Sequence, residues 1–523
     1  MFPALRIDGK VIKGQANDSH MTISPEHPNP PDSARGFVVG GQFLTRKQAL
    51  GFLKTNDPET YRKLPKEALR IGLHSEFLAK ALGIKQKPVA VKIIAEAKEE
   101  REEAAKPVDL SKMTAIVYDR GGLYLYCAEE LAKKYGKVMY YLADADAYPT
   151  SQKATIGAGI PKIKRIHDFW EHIESADIIY MFDCYDGHLA HYLRSKGYTV
   201  FGSGLNEKVE IDKIFFLETL EKLGLPCPKT YVAQGMDDLC EYLKAHDGET
   251  LFLKNLHRGD FESRKFTSMA QSRPFLNDLK KRLGSASDSI EVLVQHKIDS
   301  VIEVGYDGYI VDGEYTKNCI VGYEIKDKSF AGKIFPETPE IVGKTNEAFA
   351  PILKKLGGRG NYSTEIRVTK DGECFYIDPT IRVPSPPGEG MCCIYTNWAE
   401  GTLQIARGEV PEWEYDDEFL AEYVMTSEWH LEHEIHVKFP SKYKDNVKLK
   451  NFTLRDGEYY CIPNGNGTFF GAVVATGKTL EAAIAKVKEV AATIEADEFH
   501  FDPSAFDDAT KAVEAGEKFG IKY

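Results

Sequence analysis

The sequence predicts a multidomain protein of the α/β and α+β classes. A chain of 523 residues is long enough for three or four domains. From Thr114 onward, apolar strands alternate with amphipathic helices, which is typical of a parallel sheet. Further along, residues 361–388 contain two strands around a tight turn, which indicates an antiparallel hairpin. The predicted parts are an accessory module at 1–88, a charged helical linker at 89–112, a Rossmann-like domain at 113–205, a two-part α+β domain at 206–410 with a small subdomain at about 230–302, and a C-terminal α+β module at 411–523.

The composition excludes several classes of protein. With 43% hydrophobic and 28% charged residues, the chain has the make-up of a soluble globular protein. No apolar run approaches roughly 18 residues and no signal-peptide pattern is present, so we expect a cytoplasmic protein without a membrane partner. The net charge of −12 argues against broad binding to a phosphate backbone, but it leaves room for a local basic patch. The nine cysteines lack metal-binding spacing, which indicates reduced, structural thiols.

The first module combines a proline-rich stretch with a hairpin and helices. Residues 16–36 are rich in Pro, Ser and Asn, which predicts extended chain. The segments GFVVGGQFLTRKQAL and ALRIGLHSEFLAKALG predict a hairpin leading into a helix, then a second helix. These segments resemble a small domain common in phage-encoded proteins, which implies a phage origin and a host-cytoplasmic location. In the second helix, His74, Ser75 and Glu76 are expected to be surface or capping residues. The charged helix at 92–107 is expected to space domains.

Two groups of polar residues follow strands of the predicted parallel sheet. Gly121 and Gly122 follow the first strand, and Asp183 and Asp186 follow the third. Ligands bind beyond the carboxyl ends of such strands, so these four residues are candidate substrate contacts. The alternative is that the acids are loop residues without a partner. A complete GxGxxG pattern is absent, which argues against a dinucleotide site. The segment IHDFWEHIESA is interpreted as a helix between two of the strands.

Residues 206–302 carry a pattern suited to a nucleotide. Lys213 lies in a predicted helix that begins near Glu207, and Lys254 lies on the strand ETLFLKN. Each ammonium group could bind a phosphate, although a single lysine is more often a solvated surface charge. The backbone of QHKI, residues 295–298, could hold the edge of an adenine. Glu303 could then accept hydrogen bonds from the ribose hydroxyls.

The hairpin of residues 361–388 brings acids together. Glu365 lies on the outgoing strand, the turn is Lys370–Gly372, and Asp378 closes the return strand. Thr380 and Arg382 follow Asp378 at two-residue steps, so the three side chains are expected to share one face. Two carboxylates and a hydroxyl suit Mg²⁺, and an adjacent arginine suits a phosphate. The alternative is a surface hairpin with ordinary charges.

The order of these segments resembles one known superfamily. Lys213 follows a glycine-rich strand end, and GLPCPKTYV, LFLKN, VLVQHKID, YEIKDKSFAGK and finally an acid with DPTIR come after it in sequence. This order is similar to that of the ATP-grasp superfamily, and most similar to its phosphoribosylamine–glycine ligase branch. The resemblance covers about 113–523, because the tail GAVVATGKTLEAAIAKVKEVAATI is similar to the C-terminal pattern of that branch.

The resemblance implies ATP held between two α+β subdomains, with Mg²⁺ or Mn²⁺ on its phosphates. A carboxylate would attack the γ-phosphate, and an amine would displace phosphate from the acyl phosphate. Lys213 and Lys254 would bind phosphate, and Lys254 and Arg382 would serve catalysis, Arg382 by stabilising the transferred charge. The remaining implied roles are the adenine hinge at Gln295, His296 and Ile298, the ribose contact at Glu303, and metal ligands at Glu365, Asp378 and Thr380, the last standing where the family usually has Asn.

The chain departs from the family at substrate positions. The acidic residue that follows the arginine in the family is replaced by VPSPP with Ser385, and an Arg-Glu-His run is replaced by Leu123–Leu125. The phosphate loop HRGDFESRK has one glycine and adds Arg258 and Arg264. We therefore expect the ligase chemistry with altered substrates. The candidate substrate contacts are Gly121, Gly122, Asp183, Asp186, Lys326 and Ser385.

Three alternative functions remain open from the sequence. One is genuine phosphoribosylamine–glycine ligase activity, and a second is a catalytically silent nucleotide-binding protein for assembly or regulation. A third is modification of a macromolecule delivered by the N-terminal module. The expected partners are a small carboxylate and a small amine, in a monomer or a homodimer. In the last module, His430, His433 and His436 could gather as metal ligands, but exposed or hydrogen-bonded histidines are the preferred interpretation.

Overall fold

The computed structural model describes residues 2–7, 10–13, 35–39, 42–64, 78, 81–82, 108–144, 152–255, 263–463 and 467–523. The chain divides into two compact units, Met1–Val108 and Asp109–Tyr523. The predicted proline-rich stretch up to residue 34, the residues His74–Glu76, the charged helix at 92–107 and Arg258 lie outside the described residues. The finer division of 109–523 into domains stays a prediction.

The first unit contains the predicted hairpin and helix. Its antiparallel sheet has the order β2-β1-β3-β4. Helix α1 begins directly after β4, because Thr45 accepts a hydrogen bond from the backbone of Gln48 while the Gln48 side chain accepts one from Thr45. Phe37 and Leu53 are buried in a small core. The elements are β1 (Phe2–Ile7), β2 (Lys10–Lys13), β3 (Arg35–Val39), β4 (Gln42–Thr45), α1 (Arg46–Asn56) and α2 (Pro58–Arg62).

The second unit begins with the predicted parallel sheet, which the structure confirms. Its strands are β5 (Thr114–Asp119), β6 (Lys137–Leu142), β7 (Ile163–Ile166), β8 (Ile178–Met181) and β9 (Val200–Gly202), in the order β9-β8-β5-β6-β7. Helices α3 (Leu125–Ala132) and α4 (Gly187–Ser195) connect strands of this sheet. All neighbouring pairs are parallel, and residues such as Ile116 and Val117 are fully buried.

One helix predicted in this region is wrong. The segment IHDFWEHIESA contains only a short 3₁₀ turn, Ile173–Ser175. The carboxylate of Asp168 accepts hydrogen bonds from the backbone N–H groups of Trp170 and Glu171, which fixes a turn at the start of the segment. Phe169 packs edge-on against Tyr118. Side-chain capping and aromatic packing therefore replace the helix.

A small antiparallel sheet forms a separate layer within the second unit. It has the order β10-β13-β11-β12 and is covered by two helices. Leu239, Leu253 and Val294 are among its buried core residues. The elements are β10 (Thr230–Gln234), α7 (Gly235–Ala245), β11 (Leu251–Asn255), β12 (Arg264–Phe266), α8 (Met269–Leu283) and β13 (Glu291–His296), and the preceding helices are α5 (Lys208–Ile211) and α6 (Lys213–Leu223).

The largest sheet joins the parallel strands to antiparallel ones. Residues Arg359 and Gly202 pair, which links the two parts into a sheet of 14 described strands. The predicted hairpin is confirmed: two long strands flank a turn in which Gly372 has a φ of 80°. The elements are β14 (Ser300–Val311), β15 (Glu314–Tyr315), β16 (Cys319–Ile325), β17 (Ser329–Phe335), α9 (Glu340–Leu356), β18 (Arg359–Thr369), β19 (Cys374–Thr380), α10 (Gly388–Ile394) and α11 (Trp398–Arg407).

The C-terminal residues extend this sheet and add a small one. Strands β20 and β25 pair with each other, and β20 pairs with β17 of the large sheet. A three-stranded sheet has the order β21-β24-β23. No described helix is long and apolar enough to cross a membrane. The elements are β20 (Phe419–Thr426), β21 (Ile435–Val437), β22 (Val447–Leu449), β23 (Phe452–Arg455), β24 (Glu458–Cys461), β25 (Phe469–Gly477), α12 (Leu480–Ala491) and α13 (Asp507–Gly516).

Candidate active site

Lys213 is positioned by a break in the chain. The sequence predicts one continuous helix from about Glu207, but Asp212 has extended backbone angles that separate α5 from α6. The Asp212 carboxylate accepts a hydrogen bond from the backbone of Phe215 and caps α6. Lys213 is therefore the first residue of α6, and its ammonium group forms an ion pair with Asp378.

Lys254 reaches the same carboxylate from the small sheet. It lies on β11, and burial lowers the pKa of its ammonium group. The charges of Asp378 and Glu365 oppose this effect, while Lys213 adds to it. Two lysines and two acids from four separate segments thus act on one another at one place. This is the arrangement that a bound polyphosphate and a divalent cation require.

The two acids face each other across the hairpin. Glu365 of β18 pairs directly with Asp378 of β19, and a bulge at Ile377 shifts the register immediately afterwards. Burial and the charges of Glu303 and Asp378 raise the pKa of Glu365. Burial also raises the pKa of Asp378, but Lys213 and Lys254 outweigh it and leave that pKa below its ordinary value.

These acids fit a hard divalent cation. Mutual repulsion between carboxylates is relieved by a cation bound between them, and Mg²⁺ prefers carboxylate oxygens. Thr380 pairs with Ser363 at the end of β19, two residues beyond Asp378. Within the described part of the chain, no three His, Cys, Asp or Glu side chains are placed to hold a metal by themselves. The remaining ligands would have to be phosphate and water oxygens, as is usual for Mg²⁺ at nucleotides.

Two charged residues near Glu365, Arg367 and Glu324, were not predicted from the sequence as part of the site. The Arg367 guanidinium donates to Glu303, with 2.7 Å between Nε and Oε2. Glu324 lies on β16. Loss of solvent around its carboxylate and the charges of nearby acids such as Asp307 and Glu303 raise its pKa to about 8. Lys326 follows two residues later, and its charge opposes this rise. Arg367 could have been found from the sequence, because it lies two residues from Glu365 on one strand.

A narrow cavity lies between the small sheet and the large one, with an accessible volume of about 10 Å³. Phe216 and Tyr376 line one side, Leu293 and Gln295 line the other, and Lys213 and Lys254 also border it. Its apolar walls beside two ammonium groups have the chemistry that suits a flat base followed by phosphates, but the cavity would have to widen to admit a base.

Some polar groups of the predicted hinge residues already form hydrogen bonds within the protein. The backbone N–H of His296 donates to the carbonyl of Lys229 at 2.9 Å, and the carbonyl of Ile298 accepts from the backbone of Ser300 at 2.9 Å. The His296 ring is within 3.2 Å of Glu249 and 3.0 Å of the Tyr242 hydroxyl. Of the three predicted hinge residues, Gln295 is the one that lines the cavity.

Arg382 joins the acid pair to the predicted substrate residues. Strand β19 ends at Thr380, so strand periodicity does not place Arg382. Its Nε donates to Glu210 Oε1 at 3.0 Å, while Glu210 Oε2 accepts from the backbone of Ile381 at 2.6 Å. Burial lowers the pKa of Arg382, but Glu210 more than offsets this. Arg382 acts electrostatically on Asp378 at one end of the site and on Asp183 at the other. Glu210 escaped the sequence interpretation.

The glycines and Asp186 are held by neighbouring groups. The backbone of Gly122 donates to Asp119 at 2.9 Å, and its carbonyl accepts from Asn451 at 2.9 Å. Gly122 has a φ of 85°, and a Cβ there would lie 2.7 Å from the Asn451 side chain, so glycine is required. Both oxygens of Asp186 accept from Arg120, at 3.0 and 3.1 Å. Gly121 lies in the bend before Gly122.

Ser385 belongs to a buried polar network. Lys450 Nζ lies 2.6 Å from Ser385 Oγ and 2.7 Å from Glu389, and Ser385 donates to Glu389 at 3.0 Å. Glu389 and Lys450 are 0% and 2% exposed, whereas Ser385 is half-buried. Burial and the charge of Glu389 raise the pKa of Glu422 beside them. Nothing in the local sequence pattern connects Lys450 to Ser385, because 65 positions separate them.

The three histidines of the last module do not gather. His430 is 1% exposed, and neither ring nitrogen has a hydrogen-bond partner among the described residues. His433 stacks on Trp429, with ring centroids 3.8 Å apart. His436 lies 2.9 Å from Glu458. The expectation of exposed or hydrogen-bonded histidines is therefore wrong for His430, which is buried and has no hydrogen-bond partner among the described residues.

Comparison with solved structures identifies the fold. The chain matches no known protein-family profile and no curated protein. Phosphoribosylamine–glycine ligase from Thermotoga maritima is 16% identical, with a TM-score of 0.53 and coverage of 75% of this chain and 99% of that one. Biotin carboxylase from Campylobacter jejuni is 13% identical, with a TM-score of 0.54 and coverage of 77% and 98%. The biotin carboxylase domain of 2-oxoglutarate carboxylase from Hydrogenobacter thermophilus is 14% identical, with a TM-score of 0.53 and coverage of 79% and 99%.

These three proteins are ATP-grasp ligases. The likeness shows that this chain has their fold, a mixed α/β multidomain architecture around a large mixed sheet. The expectation of that fold from the sequence is therefore confirmed.

Proposed function

We propose that the protein is an ATP-dependent carboxylate–amine ligase that forms ADP through an acyl phosphate. The observation that carries this proposal is the convergence of Lys213, Lys254, Glu365 and Asp378 beside one narrow cavity. Ammonium groups that would bind phosphate and carboxylates that would bind a metal lie together where the small sheet faces the large one. An ordinary surface hairpin would not need this convergence.

ATP and Mg²⁺ fit the residues present. The base would lie between Phe216, Tyr376 and Leu293 after the cavity widens, and the two lysines would take the phosphates. Glu303, fixed by Arg367, would take the ribose hydroxyls. The metal ligands would be Glu365, Asp378 and Thr380. When bound, Mg²⁺ would neutralise phosphate charge and polarise the γ-phosphorus.

In the proposed reaction, the chain's residues position reactants and balance charge. An oxygen of the substrate carboxylate attacks the γ-phosphorus, and the bond to the β-phosphate oxygen breaks to release ADP. The amine nitrogen then attacks the acyl carbon, phosphate leaves, and the nitrogen loses a proton to water. Lys254 would offset charge on the transferred phosphoryl group. Arg382 would do so at the acyl phosphate, because Glu210 holds it between Asp378 and Asp183.

Both substrates are proposed to be small molecules that differ from phosphoribosylamine and glycine. Ser385 and its network stand where the ligase branch has an acid, and Asp186 is engaged by Arg120. Asp183, Gly121, Gly122 and Lys326 complete the proposed substrate contacts.

A screen for ADP release tests this proposal. Amino acids and amines are combined in the presence of ATP and Mg²⁺, with glycine and freshly made phosphoribosylamine as one pair. We expect one pair to yield ADP, phosphate and an amide, and Asp378→Ala to abolish that turnover while the protein stays folded. Asp371→Ala, in the exposed turn of the same hairpin, is the matched control and should keep full turnover. Tight ATP binding without turnover on any pair, or full turnover by Asp378→Ala, would reject the proposal.

A further inference from the structure

A groove on the parallel sheet is lined by five lysines. Its volume is about 730 Å³, and its lining residues include no carboxylate. The lysines follow α3, start β6, and flank the start of β7. They are Lys133, Lys134, Lys137, Lys162 and Lys164. In a chain with a net charge of −12, this concentration of positive charge stands out.

Three of these five lysines have no acidic partner among the described residues. Lys137, Lys162 and Lys164 are exposed and form no ion pair with any carboxylate in the described ranges. Lys133 is paired with Glu130 and Asp445 at the groove's edge. The groove therefore keeps an unbalanced positive potential that a neighbouring acid does not cancel.

The groove is remote from the candidate active site. Lys137 and Lys162 lie at the amino ends of β6 and β7, whereas Gly121 and Gly122 follow the carboxyl end of β5. The strands of this sheet are parallel, and β5 and β6 have six residues each, which corresponds to about 20 Å. A ligand in the groove would not overlap a nucleotide beside Lys254.

We propose that this lysine groove binds the phosphate backbone of a nucleic acid without reading its sequence. Lysine acts on phosphate as a point charge, and backbone binding depends on such contacts. The register of β6 and β7 pairs Lys164 with Met139, so Lys137 is the diagonal neighbour of Lys164 on the adjacent strand, roughly 7–8 Å away, a spacing that successive backbone phosphates can match.

The groove lacks the apolar anchors of a protein partner. Tyr135, Val138 and Ile163 line it, but all three are buried and present no exposed apolar surface. Protein interfaces gain most of their affinity from aromatic and aliphatic anchors at a desolvated centre. The exposed side chains of this groove are instead the lysines, with Ser111 beside them. This inference does not depend on the proposed ligase activity.

The test measures DNA binding and its salt dependence. The full-length protein is titrated into a labelled duplex of arbitrary sequence, and fluorescence anisotropy is followed from about 50 to 200 mM salt. The groove variant is Lys137→Gln, Lys162→Asn and Lys164→Gln, with Asn chosen because residue 162 has a φ of 65°. We expect its affinity to fall about tenfold or more, and its salt slope to fall by about 2 to 3.

A matched control carries the same change in net charge elsewhere. Lys317, Lys355 and Lys518 are exposed, form no described ion pair and lie outside the groove, so their replacement by Gln should leave binding unchanged. Equal losses in both variants, or no binding at the lowest salt, would overturn the inference. Displacement of DNA by tripolyphosphate or by polyglutamate at equal charge would also overturn it, in favour of a small polyphosphate or an acidic protein. Circular dichroism establishes that each variant is folded.

Discussion

The two ends of the candidate site differ in how their charges are used. At the nucleotide end, Lys254 and Glu365 both have pKa values displaced by burial and by like charges. At the substrate end, Arg120 is matched by Asp186 and Lys450 by Glu389, and Glu422 is the further acid whose pKa burial and Glu389 raise. Displaced pKa values are typical of a site that binds a charged ligand. Ion pairs that are complete within the protein are more typical of structure. The proposed reaction class therefore rests on the nucleotide end of the candidate site.

After Asp378, the largest expected effect is at Lys254. Lys254→Gln removes a buried ammonium group beside Asp378, and we expect turnover to fall by about 10²- to 10³-fold. Thermal stability should stay the same or rise, because burial of that charge is unfavourable. Lys265→Gln, at an exposed position on the same small sheet, is the control and should retain activity. Equal activity of the two variants in an ADP-release assay would remove the distinction between the two ends.

The next effect concerns how Arg382 is held. Glu210→Gln weakens the contact that orients the Arg382 guanidinium, so we expect turnover to fall by about 10- to 100-fold. The affinity for ATP, measured by calorimetry, should change little, because Glu210 does not line the cavity. Glu218→Gln, on the exposed face of α6, should be neutral. If ATP affinity and turnover fell by the same factor, Glu210 would belong to the nucleotide end.

The protonation of Glu422 shows whether the charges at the substrate end are compensated within the protein. Its pKa is raised by burial and by Glu389, so the folded protein holds a proton that the unfolded chain releases above about pH 4.5. The stability contributed by this proton is present at low pH and is lost as the pH rises. Glu422→Gln keeps the neutral form and should raise the free energy of unfolding by about 1–2 kcal/mol at pH 8.

The pH dependence separates this effect from general stabilisation. The gain from Glu422→Gln should vanish near pH 4, and Glu418→Gln at an exposed position should show no gain at any pH. Chemical denaturation at several pH values measures both variants. A gain of the same size at pH 4 would mean that Glu422 is not protonated by its surroundings.

The smallest expected effect is at Ser385. Ser385→Ala removes a half-buried hydroxyl that accepts from Lys450, so we expect KM for one substrate to rise by about three- to tenfold. KM for ATP should not change. Ser441→Ala, at an exposed position, is the control. A larger effect on KM for ATP than on the other substrates would place Ser385 at the nucleotide end.

Local patterns predicted local structure. The hairpin around Lys370–Gly372 and the alternation of strands and helices after Thr114 depend on neighbours in sequence, so periodicity and turn chemistry were sufficient. The same reasoning was wrong for IHDFWEHIESA and for the unbroken helix through Asp212. In both segments an aspartate side chain binds backbone N–H groups and fixes a turn or a helix start.

Residue types and their order were enough to predict the fold class and to nominate two lysines and two acids. Whether those four meet was decided by tertiary structure, because 165 positions separate Lys213 from Asp378. The same holds for Glu210 with Arg382 and for Lys450 with Ser385. Periodicity describes neighbours along one strand or helix, whereas an ion pair between distant segments forms only after the sheets have packed and excluded water from around it.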